Sequence, residues 1–102
     1  MERGEYFYNA GRLEEAILEY NKVINHYPSD ASQLDYQNVK MLANAHHNLA
    51  VILFKRGYKS EDNIEKMSYL EKASTEAKRS YDLYPKDVYK QTWDKVQKAM
   101  KE

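Results

Sequence analysis

From Leu13 onwards apolar residues return at steps of three and four: Leu13, Ala16, Ile17, Tyr20, Val23, Ile24 and Tyr27 form one stripe that ends at Pro28. A period near 3.6 residues puts such positions on one side of a helix, so the pattern predicts an amphipathic helix that buries this stripe. Ahead of it, Tyr6-Phe7-Tyr8 predicts a short helix closing at Asn9-Ala10-Gly11, because glycine readily takes the left-handed conformation that ends a helix. Past Pro28, Ser29-Asp30-Ala31-Ser32 supplies side chains that accept bonds from the free N–H groups of a helix start. A long helix is expected from about Leu34 to Arg56, with Val39, Leu42, Leu49 and Leu53 on one face and Gly57 as its stop. Asp62-Asn63-Ile64-Glu65 has the spacing of a capping box, and Ile64, Met67, Leu70, Ala73, Ala77, Tyr81 and Tyr84 keep helical spacing up to Pro85. Asp87 opens a last helix with Tyr89, Trp93, Val96 and Met100 on a stripe. No useful stretch alternates apolar and polar residues. The expectation is an all-α chain of five helices, without strands.

The pattern also repeats. Gly11, Ala16, Tyr20 and Pro28 follow one another as in the second half of a tetratricopeptide repeat, a helix–turn–helix unit of about 34 residues. A small Ala16 lets paired helices approach, Tyr20 fills the space towards a neighbouring pair, and Pro28 ends the helix. Ala73, Ala77 and Pro85 restate Ala16, Tyr20 and Pro28 at an offset of 57 residues, while Gly57 lies 46 after Gly11. Both offsets exceed the period, so the second unit reads as elongated, with the additions taken up as helix extensions. The chain therefore resembles the tetratricopeptide repeat family. Its layout is nearest to that segment of immunophilin-type co-chaperones, where a start like Glu2-Arg3-Gly4-Glu5-Tyr6-Phe7 precedes a long connection and an Asn48-Leu49-Ala50 helix. The resemblance covers residues 1–85. It implies one domain: a first repeat at 1–28, an elongated second at 31–85 and a C-terminal capping helix at 87–101, wound as a right-handed superhelix, with Trp93, Val96 and Met100 also fitting the first helix of a third repeat.

In that family the first helix of each pair lines a concave groove. The resemblance thus implies partner-binding positions at Glu5, Tyr8 and Asn9, and at Asn44, His47, Asn48, Val51 and Lys55, the last facing an acidic group. Ordinary solvent-facing polarity accounts for any one of them equally well. Chaperone-binding members hold a peptide carboxylate with a clamp of basic residues and asparagines. Asn48 matches one clamp position, but Met1 and Glu5 stand where a lysine and an asparagine belong, and the tail offers no basic pair. Glu5 would repel a carboxylate, so chaperone C-terminal tails are not expected ligands.

Charge narrows the rest. Sixteen Lys and Arg balance sixteen Asp and Glu over 102 residues, and nucleic-acid binding ordinarily needs a basic excess. The longest apolar run, Leu49 to Phe54, is far short of the roughly 20 residues of a membrane span. Met1-Glu2-Arg3-Gly4-Glu5 has no apolar stretch behind a basic start, which leans towards the cytoplasm and leaves the compartment open, as the absence of cysteine also does. His46 and His47 are adjacent and point about 100° apart on a helix, so they do not chelate one ion as an i, i+4 pair does. No glycine-rich phosphate loop and no nucleophile with a base is present. Glu14-Glu15 and Glu61-Asp62 sit at helix starts, where carboxylates complement the dipole. Ten tyrosines exceed what the stripes require, and Tyr6, Tyr8 and Tyr36 are the candidates for an exposed aromatic patch. Lys86, Lys90, Lys95, Lys98 and Lys101, broken by Asp87 and Asp94, read as a solvated face. The chain is thus expected to be a non-catalytic protein-interaction module with no cofactor or metal, binding a protein or peptide. The alternative is a structural segment of an assembly, or a homo-oligomer.

Overall fold

Two of the described helices start at a capping aspartate, and the other two start without a side-chain cap. The computed structural model describes residues 9–27 and 34–102, which form helices joined by short connections, with no strand among the described residues. The helices are α1, Leu13–His26; α2, Tyr36–Lys59; α3, Asn63–Leu83; and α4, Asp87–Lys101. The fifth, expected around Tyr6-Phe7-Tyr8, lies outside the described residues, although Asn9 is itself helical. Gly11 follows with φ of +77°, the left-handed angle anticipated for it. The cap residues Ser29 to Ser32 also fall outside the described residues. In their place Asp35 caps α2, its carboxylate accepting from the Asn38 N–H at 2.9 Å. Asp62 caps α3 by accepting from the Ile64 N–H at 3.0 Å.

Gly57 does not stop α2. The helix continues through it to Lys59, and a Cβ placed there would stand 3.2 Å from Leu70 Cδ2 and 3.4 Å from the Lys66 carbonyl oxygen. The missing side chain is needed for close approach of α3, not for a turn.

The broadest packing is between α2 and α3, and small residues buried on both helices, Ala43 and Ala50 on α2 and Ala73 and Ala77 on α3, suit a close approach. Helix α4 packs on α3 and touches α2, while α1 packs on α2. One core joins all four helices: Ala16 and Tyr20 from α1, Ala45, Leu49, Ile52 and Leu53 from α2, Ala73 from α3 and Val96 from α4. The anticipated α1 stripe faces this core, with Leu13, Ile17, Val23 and Ile24 partly buried against it. On α3 the stripe is shorter than its spacing suggests. Leu70, Ala73 and Ala77 are buried, but Ile64 is 82% and Met67 39% exposed, because no described helix covers that end.

Polar links fix the helices in register. His46, only 6% exposed on α2, pairs through Nδ1 with Glu76 of α3, which also holds Arg79. Gln97 of α4 donates to Ser74 of α3. Arg56 joins α2 to Glu14 of α1 and lies over the Tyr69 ring of α3. Tyr36, one of the suspected exposed tyrosines, is 61% exposed yet engaged: its hydroxyl lies 2.9 Å from that of Tyr84, ring edge against face. That hydrogen bond, followed by partial burial, raises its pKa.

Candidate partner-binding groove

Beyond the core-facing stripe, α2 presents a second face towards its C-terminal end. Val51, Phe54, Lys55, Tyr58 and Lys59 recur at helical steps and so lie together. With Thr92 and Lys95 of α4 they line a groove of about 350 Å³. Phe54 and Tyr58 stack edge to face with centroids 4.8 Å apart, giving an apolar floor. Three ammonium groups, Lys55, Lys59 and Lys95, stand around it, and among the described residues no carboxylate lines it. In a chain whose charges balance overall, that is a local excess of positive charge beside apolar surface. Such a set attracts an anion carrying an apolar anchor.

The groove is held at one end by His47. Its ring lies against Tyr89 of α4 at 4.7 Å, and its Nε2 is 2.8 Å from the Thr92 hydroxyl. Thr92 gives its own proton to the Val88 carbonyl at 3.1 Å. The His47 Nε2–H is therefore the donor, which sets the neutral tautomer with its proton on Nε2. Burial lowers the His47 pKa, nearby Lys86 lowers it further, and a hydrogen bond with Asn48 partly opposes both. The unfolded chain thus takes up a proton just below the ordinary histidine value of about 6.5, before the folded chain does. This contribution to stability is fully present above that pH and is lost as pH falls through the lowered folded value. Urea denaturation at pH 7.5 and 5.0 is expected to show a falling midpoint, and a smaller fall in His47→Gln than in the wild type.

Of the eight residues expected to bind a partner, five lie along α2 and three before α1. Glu5 and Tyr8 fall outside the described residues, and Asn9 is exposed next to the Gly11 turn. Asn44, His47 and Asn48 are half-buried in the first part of α2. Val51 and Lys55 line the groove, and His47 reaches it through Thr92. The expectation missed Phe54, Tyr58, Lys59, Thr92 and Lys95. Phe54, Tyr58 and Lys59 only continue the helical steps from Val51 and Lys55. Thr92 and Lys95 join the site through tertiary packing of α4, which no local pattern signals. Lys95 belongs to the tail read as merely solvated.

Among the described residues no group of three His, Cys, Asp or Glu side chains is placed to hold a metal ion. None of the described helices is long and apolar enough to cross a membrane. No family model matches the chain, and no curated protein or solved structure is found to be similar to it.

Proposed function

We propose that this chain is a non-catalytic protein-interaction module that takes an acidic, apolar-anchored segment of a partner into the groove between α2 and α4. The observation that carries this reading is the apolar floor of Phe54 and Tyr58 bordered by Lys59 and Lys95, with no carboxylate among the described lining residues. Aromatic anchors bordered by charge are what interfaces use for affinity and orientation. The same face of α2 is the one the tetratricopeptide resemblance assigns to partners. Under that reading α2 and α3 are an elongated repeat pair, α4 is the closing helix, and the whole winds as a right-handed superhelix.

The test uses a fluorescein-labelled peptide with leucine and tryptophan set between glutamates, and a counterpart with glutamines in their place. Anisotropy is expected to rise with the acidic peptide and far less with the neutral one. Lys59→Glu with Lys95→Glu is expected to weaken binding about tenfold or more, since each reversal replaces an attraction with a repulsion of similar size. High salt is expected to weaken it too, because the screening length shrinks from about 10 Å at 0.1 M to about 3 Å at 1 M. Equal binding of both peptides, or of the variant and wild type, contradicts the proposal.

A further inference from the structure

The α2–α3 corner carries the chemistry that this groove is suited to receive. Ile64 and Met67 are exposed there at i, i+3, the largest apolar exposure in the described chain being that of Ile64 at 82%. Glu61, Asp62 and Glu65 surround them in sequence, all exposed. Among the described residues no ion pair engages Glu61 or Glu65, nor Lys59 or Lys95. Carboxylates thus gather with aliphatic side chains on the corner, where Lys66 is the one base between Glu61 and Met67, and lysines gather with aromatic side chains in the groove.

The two surfaces are also neighbours. Lys66 of the corner stands 5.3 Å above the Tyr58 ring of the groove, and Gly57 meets Leu70 directly behind it. Both lie at the same end of the molecule, so one two-fold axis can seat each copy's corner in the other's groove.

We propose that a second copy of this chain occupies the groove when no other partner is present. Its Ile64 and Met67 rest on Phe54 and Tyr58, and its Glu61 and Glu65 face Lys59 and Lys95. The inference rests on the reading of the groove as a binding site and adds its regulation. Self-pairing hides the groove, and a foreign acidic segment must displace the second copy, so partner binding and dimer dissociation are linked.

Light scattering on the full chain across a concentration series tests this, with circular dichroism confirming that each variant is folded. The wild type is expected to move from 12.1 kDa towards twice that mass as concentration rises, and to return in high salt. Lys59→Glu with Lys95→Glu, and separately Glu61→Lys with Glu65→Lys, are each expected to weaken pairing at least about tenfold. An equimolar mixture of the two variants is expected to pair again, because the reversed groove then meets a reversed corner. A wild type that stays at 12.1 kDa throughout, a variant that pairs as well as wild type, or a mixture that does not pair overturns the inference. Anisotropy with the acidic peptide on the Glu61→Lys, Glu65→Lys variant separates the two claims. This variant keeps its groove lining and is expected to bind several-fold more tightly than wild type. Binding there without wild-type pairing overturns self-occupancy alone, and the absence of both overturns the groove as well.

Discussion

Replacing Ile52 by alanine is expected to lower the unfolding free energy by about 3 to 4 kcal/mol. Ile52 is fully buried in the core cluster, to which every described helix contributes. Part of the loss is the transfer energy of the removed carbons. The rest is the cavity, and its size depends on how far the surroundings can close in. Here they have little room to do so, because alanines at 16, 45 and 73 already hold the helices at close approach. A domain of this size has a total stability of about 5 to 15 kcal/mol, so the variant keeps only part of it. Urea unfolding followed by circular dichroism is expected to show a lower midpoint with an unchanged slope. Ile64→Ala is the internal contrast. Its side chain is 82% exposed, and in dilute solution, where the chain is monomeric, the change is expected to stay within about 0.5 kcal/mol. Equal losses at the two positions would contradict the assignment of the core.

The second large effect is expected at Gly57, and it depends on the size of the substituent. Glycine in a helix interior costs about 1 kcal/mol relative to alanine. An alanine Cβ would recover that, but it would press on Leu70 at 3.2 and 3.3 Å, and Leu70 is itself buried. The two terms oppose each other, so Gly57→Ala is expected to lie within about 1 kcal/mol of wild type. Gly57→Leu has no such offset. Its extra carbons meet both the Leu70 side chain and the Lys66 backbone, which cannot swing aside, and α3 must move away from α2. A loss of about 2 to 3 kcal/mol is expected, as in other overpacked cores. Thermal unfolding of both variants checks this. A stabilised leucine variant would mean that the space behind Gly57 is open.

Gly57 also marks the limit of what local pattern can reveal. A glycine after a long apolar stripe carries the signature of a helix end, and at Gly11 that reading agrees with the left-handed backbone. At Gly57 the same residue type serves a contact with a helix that follows in sequence, and only the packing of α3 distinguishes the two uses. The amphipathic stripe of α1 was legible because its exposed face is polar at nearly every turn. The stripe of α3 was overextended because Ile64 and Met67 have the right spacing and no helix to bury them. His46 with Glu76 pairs residues 30 apart in sequence, a separation at which spacing carries no information.

The candidate site was legible by half for the same reason. Asn44, His47, Asn48, Val51 and Lys55 share one face of a single helix, and periodicity alone groups them. The opposing wall comes from α4, where Thr92 and Lys95 become neighbours of Val51 and Lys55 only after folding. His47 then acquires a structural task beside its place on that face, since it is the link between α2 and Thr92.

Amide chemical-shift mapping of the isotope-labelled chain, titrated with the acidic leucine–tryptophan peptide, tests the central claim most directly. Shifts are expected at residues 51–59 of α2 and around Thr92 and Lys95 of α4, together with residues 61–67 as the second copy leaves, with the α1 face unmoved. Shifts spread elsewhere on the molecule, or none at any peptide concentration, would contradict it.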